Sequence, residues 1–151
     1  AFPYPFADSS VDLVEADHVF EHLDDSFSAM KEMHRILNAG GGLIIRVPHF
    51  SRGFTHPDHK RCFDVTFPYY FKPSFKGGYA GVSFELVGIR MRWFAQPYLK
   101  KSVLPGPVFY CALLAGKIVD LLANCSPFLC SRLWCFWVGG FEEIEFRFSK
   151  K

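Results

Sequence analysis

No two cysteines in this chain are spaced C-x-x-C. The five present, at 62, 111, 125, 130 and 135, are an odd number without a regular framework. That argues against a full set of disulfides and leaves reduced, mostly buried thiols in a cytoplasmic protein as the expectation. Charge of one sign is equally scarce. Acidic and basic residues are spread along the sequence and sum to a formal +2, so nothing in the electrostatics calls for nucleic acid. The opening AFPYPFADSS lacks a basic segment followed by an apolar one, so no signal peptide is visible. The longest charge-free run, Ser102 to Gly116, falls short of the roughly 18 to 20 residues that crossing a bilayer requires, and it contains Pro105 and Pro107.

What is present is apolar and patterned. Half of the 151 residues are hydrophobic, which is ample for the core of one domain. The stretch from Phe6 to Pro48 reads as strand, loop, helix, glycine turn and strand. Val11 to Ala16 is a short apolar-rich strand after the turn formers Asp8, Ser9 and Ser10. Asp24 or Asp25 caps a helix in which Phe27, Met30, Met33 or His34, and Leu37 recur at helical spacing, and Asn38 with Gly40 stops it. Leu43 to Val47 is the next strand. A strand, helix and strand joined this way are parallel with a right-handed crossover. The loop Asp17 to Asp25 then carries the chemistry, because open parallel sheets bind ligands beyond the carboxyl ends of their strands.

The segments FADSSVD, DHVFEHLDD and EMHRILNAGGGLIIRVP together resemble the middle of a class I S-adenosylmethionine-dependent methyltransferase, in the small-molecule branch. The match covers about the first third of the chain, with a weaker echo to the end. Val11, Phe20 and Asn38-Ala39 depart from the branch's usual residues while keeping size or turn character. The resemblance implies an α/β, Rossmann-like sheet, mostly parallel, with an antiparallel last strand and helices on both faces. It implies S-adenosyl-L-methionine as cofactor and methyl transfer to a small-molecule acceptor. It also implies a carboxyl-terminal portion without its amino-terminal half, because Gly40 to Gly42 follow a helix and precede a strand, the wrong order for cradling a cofactor. Cofactor-binding residues carried over from the family are Phe6, Asp17, His18 and Val19, with core packing as the plainer role for Phe6.

Methyl transfer is an in-line displacement that needs an aligned acceptor and, where the acceptor carries a proton, a base. His18, His22 and His49 are the catalytic candidates, because imidazole titrates near neutrality; helix capping or loop bonding is the rival role for the first two. PHFSRGFTHPDHKRCFDVTFPYYF, Pro48 to Phe71, leaves the same sheet edge, and under the resemblance His56, His59 and Arg61 face the acceptor. An alternative is a metal-binding protein or hydrolase using His49, His56 and His59, with Asp58 nearby. No established metalloenzyme motif supports it, and no metal ligand is assigned. His34 reads as solvated or half-packed.

The chain divides by this reading into a βαβ core (1–48), an acceptor-side loop and short helix (49–81), a strand (82–94), an apolar helical insertion (95–140) and a last strand (141–151). Val87, Ile89, Met91 and Trp93 alternate with Arg90 and Arg92, and Ile144, Phe146 and Phe148 with Glu143, Glu145 and Arg147, each strand with one buried and one wet face. In the insertion, Lys117, Asp120 and Asn124 form one polar stripe on an otherwise apolar helix, and Trp134 and Trp137 are expected in the core. Packing on the domain or guarding an apolar acceptor is the expected role of 103–138. Shallow contact with a membrane surface is the alternative, and a non-catalytic interaction domain its functional counterpart.

Overall fold

The apolar periodicities settle into four strands and one amphipathic helix that covers them. The computed structural model describes residues 3–151, so the first two residues of the approach to the first strand lie outside it. Strand β1, Val11–Asp17, leads through a 3-10 turn, Phe20–His22, to helix α1, Ser26–Ile36, and then to β2, Leu37–Pro48. Asp25, not Asp24, is the cap: its carboxylate accepts from the amides of Phe27 at 2.9 Å and Ser28 at 3.0 Å, satisfying two of the orphan donors of the first turn. The helix buries Ala29, Met30, Met33 and Ile36 against the sheet. Each of the larger three contributes roughly 1.5–3 kcal/mol of apolar burial.

The glycines do not end that helix as expected. Leu37 already has extended backbone and opens β2, and Asn38 to Gly41 bulge out between Leu37, paired with Val11, and Gly42, paired with Leu13. Gly40 takes φ +75° inside the bulge, where its freedom from a side chain is used.

The sheet order is β1-β2-β4-β3, with β3 at Phe84–Arg92 and β4 at Glu143–Lys150. β1 and β2 are parallel. β4 is antiparallel to both β2 and β3, the direction expected of the last strand, and lies between them. Ile144, Phe146 and Phe148 enter the main core with Phe71 of the 3-10 turn Phe67–Phe71, whose Pro68 sits in its first turn. Strand β3 bulges at Val87, which turns outward while Met91 stays buried.

The other face of β4 is wet only at Arg147. Glu143 and Glu145 are buried in a ladder of ions, because the arginine side chains of the flanking strands, Arg46 and Arg92, pair with them. Glu145 accepts from Arg46 at 2.7 Å, Arg147 at 2.8 Å and Arg92 at 3.3 Å. Burial alone would raise its pKa, but these guanidinium groups outweigh that and hold it below the usual range.

After β3 come a short turn of helix, α2, Pro97–Lys100, and the long helix α3, Gly106–Asn124. Then α4, Pro127–Leu129, runs through a π-helical turn, Cys130–Trp134, into α5, Cys135–Trp137. Two further expectations fail in this part. Trp134 and Trp137 are exposed, the latter 89%, and of the five free cysteines only Cys135 is buried while Cys111 and Cys125 face outward.

Candidate active site

A cleft of about 410 Å³ opens at the carboxyl ends of β1 and β2, lined by His18, Glu21, His22, His56 and His59 on one side and Gln96, Lys100 and Glu142 on the other. The topology makes it: β1 and β2 run the same way, so the segments leaving them emerge on one rim, and antiparallel β4 begins there with Glu143 opposite both Pro48 and Arg92. Among the described residues only Ser9, His18 and Gln96 are non-glycines with positive φ, and two of the three line this cleft. Such backbone costs on the order of 1 kcal/mol per residue and persists where the surroundings over-determine it.

His18 bridges two buried carboxylates, with Nδ1 3.1 Å from Glu21 Oε1 and Nε2 3.0 Å from Glu143 Oε2. Burial opposes its charge, but the two carboxylates outweigh burial and raise its pKa to about 9. His18 is therefore an imidazolium at neutral pH, a fixed positive charge with both nitrogens committed.

His22 and His59 are arranged differently. His22 Nδ1 donates to the carbonyl of Asp58 at 3.2 Å and His59 Nδ1 to that of Gly53 at 2.6 Å. A carbonyl can only accept, so in the neutral ring the proton sits on Nδ1 and Nε2 is left as a free base. The rings of His22 and His59 meet edge to face, 5.0 Å between centroids, and His56 stacks on His59 at 4.8 Å. His56 itself accepts from the Asp58 amide through Nδ1 at 3.3 Å.

The remaining predicted residues fall elsewhere. His49 is fully buried beneath the rim, with Nδ1 2.8 Å from Ser51 Oγ and Nε2 3.0 Å from Ser131 Oγ, and burial pushes its pKa down to about 4. It does not line the cleft, so the donor set His49, His56 and His59 does not assemble. Arg61 donates to Ser26 Oγ at 2.9 Å and the Asp24 carbonyl at 2.6 Å, tying the 49–62 segment to the start of α1. Phe6 is 53% exposed in a groove along β1 with Leu13, Val14 and Met33, away from the rim. Asp17 and Val19 are exposed beside His18 at the end of β1. His34 is half-buried against Phe84.

By donor type two groups among the described residues could hold a cation: Glu21, His22 and His59, and Asp17, His18 and Glu143, each with ligand atoms within 4.8 Å of one another. Sequence reasoning misses Glu142 and Glu143. Their only signal is a pair of adjacent acids opening an apolar strand, and alternation alone sends Glu143 to solvent.

Residues 1–45 match the family described as Methyltransferase domain. Among solved structures, the chain is similar to the cyclase SpnF, with a TM-score of 0.53 at 19% identity over 98% of this chain and 52% of that one. It is similar to a SAM-dependent methyltransferase from Archaeoglobus fulgidus, with a TM-score of 0.51 at 14% identity over 96% of this chain and 62% of that one. YcgJ from Bacillus subtilis gives a TM-score of 0.51 at 13% identity over 99% and 68%. No curated protein matches the sequence. The chain thus has the fold of class I S-adenosylmethionine-dependent methyltransferases, and it spans about half the length of SpnF.

Proposed function

We propose that the protein takes part in S-adenosylmethionine-dependent methyl transfer to a small-molecule acceptor, with the cleft at the ends of β1 and β2 as the acceptor side. The observation that carries this is the pairing of a methyltransferase-domain match over β1 and α1 with a cleft at the rim where open α/β sheets take their ligands. SpnF, with a similar fold, is a cyclase, so the fold leaves the reaction open and the assignment rests on the residues.

Asp17, His18 and Val19 stand where the end of β1 would border the methionine part of the donor. Their fit is one exposed carboxylate for an ammonium group and an exposed apolar side chain beside it. Phe6, exposed in its groove along β1 away from the rim, is left outside the donor site. The donor, when bound, supplies an electrophilic methyl group on a sulfonium. The chain's own part is to align the acceptor and take its proton.

His22 and His59 are the bases in reach, since the carbonyl bond of each at Nδ1 makes Nε2 the acceptor of the neutral ring. His18 is the charged anchor that holds Glu21 and Glu143 in place, and His49 is a buried support of the rim. His56 and Lys100 line the acceptor space, and Arg61 holds its floor to α1. Five free thiols support a reducing, cytoplasmic setting.

Calorimetric titration of the protein with S-adenosylmethionine, followed by transfer of a labelled methyl group to a panel of small acceptors, tests the proposal. Saturable binding that Asp17→Ala weakens is expected. Absence of binding overturns it, and stoichiometric zinc in purified protein with hydrolytic turnover assigns a metal-dependent hydrolase instead.

A further inference from the structure

Helix α3 is inside out. Its polar stripe faces the protein: Asn124 accepts from the Met91 amide and donates to the Met91 carbonyl, both at 2.8 Å, and Asp120 accepts from the Trp93 amide at 2.6 Å. These side chains stand in for a neighbouring strand at the end of β3, bonding the backbone of Met91 and Trp93. The cost falls on the opposite side, where Leu114, Ile118, Leu121 and Leu122 project outward, Leu121 71% exposed.

The same face continues through α4 and α5. Fourteen of the twenty-three large hydrophobic side chains exposed among the described residues lie between Val103 and Val138. Six of them, Leu122, Leu129, Leu133, Trp134, Trp137 and Val138, wall a groove of about 780 Å³. A monomer in water rarely leaves so much apolar surface contiguous. A strand added beside β1 would not reach it, because β1 and β3 are at opposite edges of the sheet.

We propose that this face docks on a lipid bilayer, with α3 lying along the surface. Only three charged residues occur between Val103 and Val138: Lys117 and Asp120 line the space beside β3, and Arg132 donates to Asp64 at 2.8 Å while its guanidinium lies over the Phe136 ring. A protein interface would present a polar rim and about one hydrogen bond per 100–200 Å², which an uncharged face of leucine, valine and tryptophan does not offer. Exposed tryptophans at one end of such a face suit the headgroup level of a membrane. Helix α3, at 19 residues, is long and apolar enough to span. It is nevertheless tied along its length, by Phe109 and Gly116 against Phe94 and by Asp120 and Asn124 against β3, so crossing would require leaving the sheet. Lying flat keeps those bonds and still buries the outer face.

Flotation of the protein with phosphatidylcholine vesicles tests this. Because the face is uncharged, binding to the neutral lipid is expected and should persist at high salt, and Trp137, 89% exposed, should shift its emission to the blue. Leu114→Glu with Leu121→Glu should abolish flotation while far-UV circular dichroism stays unchanged, whereas Tyr79→Ser, in a loop elsewhere, should still float. Should the double variant not fold, loss of the blue shift in Trp137→Phe is the second reading. A wild-type chain that stays in the soluble fraction overturns the proposal, and one that does so as a dimer broken by the double substitution assigns the face to a second copy. Equal flotation of wild type and a folded double variant also overturns it.

Discussion

Nε2 of His18, at the end of β1, lies 3.0 Å from Oε2 of Glu143, at the start of β4, across 125 positions of sequence. The contact exists because the last strand inserts between β2 and β3 and begins at the rim where β1 ends. With Glu21 on the other nitrogen, it makes a charged cluster of an imidazolium between two buried acids.

That cluster predicts a pH dependence. A group whose folded pKa, about 9, exceeds its unfolded value stabilises the fold fully below the unfolded pKa near 6.5 and loses that contribution as pH rises through 9. An NMR titration should find the His18 resonances moving near pH 9, and Glu143→Gln should lower that midpoint. A His18 midpoint near 6.5 in the wild type would contradict the cluster.

His49 gives the opposite sign. Its folded pKa of about 4 lies below the unfolded one, so the unfolded chain takes up its proton first and stability falls as pH drops from about 6.5 to 4. The full effect is on the order of 3 kcal/mol, from 1.36 kcal/mol per unit. Urea unfolding followed across that range should show the decline, and His49→Phe should flatten it at the cost of leaving Ser131 Oγ unpaired.

Loss of a general base lowers turnover by about 10²–10⁴. Of His22→Gln and His59→Gln, the one that removes the base should show that loss in kcat with donor affinity unchanged. His56→Gln should act mainly on KM for the acceptor, because its ring stacks on His59 and supplies no free Nδ1. Equal, small effects from all three would assign the histidines to loop structure.

The edge-capping role of α3 is measurable without a membrane. Asn124→Ala strips both bonds from Met91 and should cost about 1–3 kcal/mol in urea unfolding. Hydrogen exchange should accelerate at the Met91 amide before it does in β2, whose ladder on both sides is intact.

Local chemistry carries much of the fold. The turn formers before Val11, the cap at Asp25, the apolar spacing through Ile36 and the alternation in the last strand each act over a few residues, so strand, helix and strand can be read in order from the sequence. The rim carrying His18, His22, His56 and His59 follows from parallel connection alone. Two errors share one cause. Pattern alone sends Glu143 and Glu145 to water and Trp134 and Trp137 to the core, because polarity and aromaticity are sound guides only when the neighbours are known.

The sequence by itself determined the βαβ unit, its resemblance to methyltransferases and the histidine-rich edge, since these depend on spacing within some forty residues. Only the tertiary structure decided which histidines are free, charged or buried, because that depends on carboxylates and hydroxyls brought from β4 and the 126–137 helices. It also decided which side of α3 meets the protein. A polar stripe marks one face of a helix, but whether that face bonds water or an unpaired strand edge is fixed by the sheet it packs on.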